Sequence, residues 1–150
     1  MKIKYSYLSE EFKNNNKIFK DWKKLISSTE FTLGKYVEKF EREFAKFIKA
    51  KFCISVNNGT DALILCLKSL GVEKGDEIIT VTNTFYATAG AIVACGAKPV
   101  FVDCDDRFQI DIEDLKKKIS KKTKVIIPVH WGGASPDIQQ IVQLAKKNKL

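Results

Sequence analysis

The spacing of hydrophobic positions changes near residue 50. Before it, Ile18, Phe19, Trp22, Leu25 and Ile26 recur at helical steps, as do Val37, Phe40, Phe44, Phe47 and Ile48. This spacing predicts a polar, helical segment over 8–28 and a second helix from about Val37, separated by the break Phe31-Thr32-Leu33-Gly34. After it, short runs rich in Val, Ile and Thr alternate with helical stretches. Strands are predicted at 52–56, 77–82, 98–103 and 123–129, and helices at about 60–70, 85–95 and 111–119 and from Pro136 to Asn148. Gly71, Gly75 and Gly96 punctuate this half as helix exits or turns. Such alternation builds βαβ crossovers, so the expected class is α/β: a mostly parallel sheet with helices on both faces, preceded by N-terminal helices. The division expected is a helical segment over 1–50 and a sheet-forming domain over 51–150.

A parallel sheet presents its ligand site at the carboxyl ends of its strands. Those ends carry Asn57-Asn58-Gly59-Thr60-Asp61, Thr82 to Tyr86, Asp103-Cys104-Asp105 and His130-Trp131-Gly132-Gly133. Gly59-Thr60-Asp61 opens a helix, where unpaired N–H groups and the helix dipole favour an anion. The plainer reading is a cap, with Thr60 closing the helix start and Asp61 favouring its dipole. Neither GxGxxG nor GxxxxGK[ST] occurs, which argues against a dinucleotide or P-loop site. Phe85 and Tyr86 are either core packing or a flat face for a ring. His130 fits a hydrogen-bonded structural residue better than a catalyst, and Asp103, Asp105 and Asp106 fit turn residues.

Composition narrows the classes. With 150 residues, 45% hydrophobic and 29% charged, the chain can bury a core. The net charge of +8 comes almost wholly from lysine; Arg42 and Arg107 are the sole arginines. Lysines clustered at 116–118, 121–122 and 146–147 form a solvated face, and without guanidinium forks or a finger motif nucleic acid is not an expected partner. Ala87 to Ala97 is too short to span a bilayer and the N-terminus lacks an apolar signal, so no membrane partner and a cytoplasmic location are expected. Cys53, Cys66, Cys95 and Cys104 form no CxxC pair and are expected as reduced, buried thiols; with one histidine no metal site is expected.

Six blocks, in order, resemble the DegT-type nucleotide-sugar aminotransferases, pyridoxal-phosphate enzymes of fold type I. They are Phe31 to Glu41, Asn58-Gly59-Thr60-Asp61-Ala62-Leu63, Gly75-Asp76-Glu77-Ile78-Ile79, Thr84-Phe85-Tyr86-Ala87-Thr88, Gly96 to Asp103, and Pro128-Val129-His130-Trp131-Gly132-Gly133. The resemblance implies that backbone groups at Gly59, Thr60 and Asp61 hold the phosphate of pyridoxal 5'-phosphate, that Phe85 stacks on its ring and that Tyr5 reaches the sugar. It further implies a nucleotide-sugar substrate, an amino donor such as glutamate, and a homodimer. The Schiff-base lysine and the aspartate for the pyridine nitrogen are expected beyond Leu150, along with the rest of the large domain and a small C-terminal domain. No catalytic residue is therefore assigned within the chain, and alone it is expected to be inactive. A dehydratase of the same family and a non-catalytic remnant are the alternatives.

Overall fold

The computed structural model describes Ile3 and Tyr5–Leu150. Two compact units emerge, one ending at Ser55 and one spanning Val56–Leu150.

Among the described residues the first unit holds three helices: α1 (Leu8–Glu11), α2 (Asn16–Ser28) and α3 (Lys35–Phe47). The helix predicted over 8–28 is thus split, and the break spans residues 12–15, which include Asn14 and Asn15, residue types that favour helix boundaries over interiors. Gly34 starts α3 in an extended conformation. The apolar stripes of α2 and α3 are real but stay largely exposed; only Ala45 is buried on these helices. Aromatic pairs cover part of them, with Phe40 stacked on Phe44 at 5.5 Å and Phe19 edge-on to Trp22 at 6.0 Å.

The strand predicted at 52–56 does not form. The segment is irregular, and Phe52 and Ile54 are 73% and 80% exposed. Apolar residues give a segment strand propensity, but a strand exists only where its N–H and C=O groups find a ladder partner. None lies beside this segment among the described residues, and the Ser55 N–H donates instead to the Glu41 carboxylate at 2.7 Å.

In the second unit, β1 (Glu77–Val81) lies between β2 (Lys98–Val102) and β3 (Thr123–Ile127), and both pairings are parallel. Four helices cover this sheet: α4 (Gly59–Ser69), α5 (Tyr86–Ala94), α6 (Ile112–Lys118) and α7 (Ile138–Asn148). Successive strand residues face opposite ways, so β1 serves two cores. Ile78 packs with Leu67 of α4 and Ala91 and Ile92 of α5, whereas Ile79 and Val81 pack with Leu115 of α6 and Ile141 of α7. The result is three layers, α4 and α5 on one face and α6 and α7 on the other. Thr80, fully buried, satisfies its hydroxyl by donating to the Ile127 carbonyl at 3.0 Å. No helix among the described residues is long and apolar enough to cross a membrane.

Gly71 closes α4 with a left-handed φ of 70°, while Val72 N–H donates to Leu67 O and Gly71 N–H to Lys68 O. Gly96 ends α5 in the same way. The four thiols are free as expected, but they are not buried: Cys66 is exposed and the other three are half-buried. Cys66 sits on α4, whose core-facing side is taken by Leu63, Ile64 and Leu67.

Candidate functional site

The chain order places a crevice at the carboxyl end of the sheet. After β1 the chain turns to the α5 face, and after β3 it turns to the α7 face. Because β1 and β3 are neighbours, their following loops diverge to opposite faces and leave an opening between them. The start of α4 lies at this same end. The Gly71 carbonyl, just beyond the end of α4, accepts a hydrogen bond from Lys124 Nζ at the beginning of β3. The 11 residues of α4 rise roughly 16 Å, about the length of a five-residue strand. Leu63 and Ile64 pack along the sheet in the cluster that includes Ile127 at the far end of β3. The helix therefore runs antiparallel to the strands and opens beside their carboxyl ends.

At that start the cap is Asn58, not Thr60. Its Oδ1 accepts from Asp61 N–H at 2.9 Å, and its Nδ2 donates to Asp61 Oδ2 at 3.1 Å. One donor of the first turn is thus satisfied, and among the described residues the N–H groups of Gly59 and Thr60 have no partner. A Cβ at Gly59 would meet nothing within 4 Å, so the approach is open. Two free, converging amides at a helix N-terminus suit a phosphate.

Phe85 caps α5 in extended conformation and is 64% exposed; Tyr86 is 77% exposed, with the two rings 4.2 Å apart. Neither ring packs into the core among the described residues, and Phe85 stands at the end of β1. Below it, Thr84 and Thr88 join hydroxyls at 2.8 Å, which steadies the loop. Across the crevice His130 is exposed, and its ring makes no hydrogen bond among the described residues, contrary to the structural role expected of it. Tyr5, in the first unit, is fully exposed.

Several acidic residues are committed to local structure. Asp105 accepts the N–H groups of Arg107 and Gln109 at 2.9 Å each and grips the Arg107 guanidinium at 3.0 and 3.2 Å. The main-chain N–H of Gln109 above all, then Arg107, holds the Asp105 carboxyl below the usual carboxylate range. Asp137 caps α7, and the Gln140 N–H lowers its pKa in the same manner. A cleft of about 720 Å³ near Asp103 is also acidic, yet Asp111 there caps α6 and Asp114 accepts from Asp103 N–H at 3.0 Å. Asp105, Asp111, Asp114 and Asp137 are thus each engaged in local structure.

Sequence reasoning missed Asn58 and Gln109. The first had a signal: Asn58-Gly59-Thr60-Asp61 is a capping pattern, repeated at Asp111/Asp114 and Asp137/Gln140. Gln109 had none, since its burial depends on a loop 20 residues further along the chain.

A parallel three-layer domain of this kind, with helices on both faces of the sheet, defines an α/β protein. Comparison with known proteins makes this specific. Residues 13–150 match the model of the DegT/DnrJ/EryC1/StrS aminotransferase family, and the chain belongs to that family. It is 42% identical over 145 residues to the pleiotropic regulatory protein of Geobacillus stearothermophilus, covering 95% of this chain and 39% of that protein. It is 45% identical over 118 residues to the GDP-perosamine synthase of Vibrio cholerae, covering 78% of this chain and 32% of the relative. The crystal structure of S. venezuelae DesV superposes with a TM-score of 0.93 at 31% identity, over 99% of this chain and 40% of DesV. Bacillus subtilis NtdA with bound PMP gives 0.93 at 33% identity, over 99% of this chain and 35% of NtdA. The chain thus spans well under half the length of these relatives.

Proposed function

We propose that this chain is the cofactor-binding part of a pyridoxal-phosphate-dependent aminotransferase that transfers an amino group, with glutamate as donor, to a keto sugar linked to a nucleotide. The carrying observation is the α4 start, with Gly59 and Thr60 amides unpartnered and Phe85 exposed at the same end of the sheet. Gly59 and Thr60 N–H groups would hold the phosphate. Asp61 contributes through its place in the first turn, its own N–H being held by Asn58. Phe85 would lie against the ring. Bound there, the cofactor supplies the electron sink for amino transfer. The residues of this chain bind it, orient it and shield one face from water; no lysine here is assigned the catalytic role. Tyr5 is assigned to the sugar on the resemblance alone. A homodimer in the cytoplasm completes the reading, on the resemblance alone.

The test uses pyridoxamine 5'-phosphate, which has no aldehyde to react with the many surface lysines. Added to the 15N-labelled chain, it should shift the Gly59 and Thr60 amide resonances, whereas pyridoxamine should not. Equal responses to both compounds, or none at 59–61, would defeat the assignment. The Geobacillus relative's name favours a second reading, a regulatory protein built on the same domain. Binding of the phosphate compound without amino transfer by the longest natural form of the protein would support it.

A further inference from the structure

Gln109, on the segment between β2 and α6, is 2% exposed. A glutamine is seldom so buried unless its amide is used. This amide lies among four main-chain carbonyls, three of which belong to the turn after β3. Turned one way, Nε2 donates to Arg107 O at 3.3 Å and Trp131 O at 3.4 Å. Turned the other way, it donates to Val129 O at 3.0 Å and Ala134 O at 3.3 Å. Either orientation joins the β2–α6 segment to the turn. The segment itself is rigidly held, because Asp105 accepts the Gln109 N–H and its own N–H donates to Gln109 O at 2.8 Å.

The gripped turn has little else to define it. Gly132 and Gly133 both adopt left-handed backbone, with φ of 60° and 83°, and residues 130–134 are exposed. Two successive glycines have many accessible conformations, and only the bonds from Gly133 N–H to His130 O and Ala134 N–H to Trp131 O lie within the turn. A buried donor that reaches the turn's carbonyls selects one of them. We propose that Gln109 is a positioning residue that fixes the His130–Gly133 turn, and with it the His130 and Trp131 side chains, along the crevice wall formed by the loop after β3. The consequence for substrate rests on the proposed aminotransferase reading; the hold itself does not.

Trp131 and Trp22 are the only tryptophans, so the 150-residue chain carrying 5-fluorotryptophan gives one reporter on the turn and one control. Gln109→Met keeps the length of the side chain and removes the donor; it should move or broaden the Trp131 19F resonance and leave Trp22 unchanged. Gln109→Glu should do the same near neutral pH. On acidification its protonated carboxyl can donate to a carbonyl, and the Trp131 signal should return toward that of the unsubstituted chain. A side chain that merely fills space would leave the Met variant unperturbed and produce no such return, and either result would overturn the proposal. Should both variants unfold, the unsubstituted chain decides. Its Gln109 Nε2 protons should exchange about tenfold more slowly than those of the exposed Gln139 and Gln143; equal rates would overturn the proposal. The pyridoxamine phosphate titration is independent of these readouts, so failure of the cofactor site and failure of the Gln109 hold are distinguishable.

Discussion

Replacing Asn58 by alanine removes the acceptor that holds Asp61 N–H at 2.9 Å and the weaker exposed contact to Asp61 Oδ2 at 3.1 Å. An N-cap is worth about 1 kcal/mol, within a range of roughly 0.5–2. The second contact adds little, because both groups reach solvent. The first turn of α4 then frays, but Leu63, Ile64 and Leu67 still anchor the helix in the core, so the loss is expected to stay near about 1 kcal/mol. For a unit the size of Val56–Leu150, that corresponds to a fall in melting temperature of about 4–8 °C.

Urea denaturation followed by circular dichroism measures it, with the m-value expected to be unchanged. Asn58→Ser supplies a comparable acceptor and should remain within a few tenths of a kcal/mol of the unsubstituted chain, roughly. Asn58→Asp keeps the acceptor but sets a carboxylate beside that of Asp61, so it should fall between Ser and Ala. Saturating pyridoxamine phosphate should narrow the alanine deficit, because the freed Asp61 N–H finds the anion. An alanine variant as stable as the unsubstituted chain, or a serine variant as damaged as alanine, would refute the assignment of Asn58 as the cap.

Two further outcomes test the core and the loops. Ile78 has no exposed surface and packs against α4 and α5, so Ile78→Ala should cost about 2–5 kcal/mol and Ile78→Val about 0.5–1.5, read from denaturation midpoints. Asp105 and Asp137 are held below their ordinary 3.8 by bonds made to the ionised form, so their contribution is complete above that value and disappears as pH falls through the lowered folded values. Asp105→Asn should therefore flatten the acid limb of the stability–pH curve; an unchanged limb would show that the Asp105 bonds do not persist in solution.

Where one segment determines its own structure, the sequence was readable. Strands 77–81, 98–102 and 123–127 and helices α4 to α7 all lie within a few residues of their predicted bounds, because Val/Ile runs, helical periodicity and closing glycines are local signals. The segment 52–56 carries equally good strand chemistry and fails, since a ladder partner is not a property of the segment. Cys66 is exposed for the same reason: helical residues are easily recognised, but which side faces the sheet is decided by the partner strands.

The site divides along the same line. The open start of α4 was legible as a helix start with free donors, although its cap lies two residues earlier than the reading that gave that role to Thr60. Phe85 was legible only as a choice between core and platform; it is exposed at the end of β1, and its role as a platform belongs to the proposed function. His130 and Trp131 were visible as polar and aromatic residues at a strand end, but what orients them comes from Gln109, on a different crossover. A helix start needs one stretch of chain to define it, whereas a glycine-rich turn must borrow its conformation from a neighbour. With Gln109 holding the turn, variation at Gly132 or Gly133 should alter the wall of the crevice while leaving the unpartnered amides of Gly59 and Thr60 untouched, because the two sets of groups share no hydrogen bond.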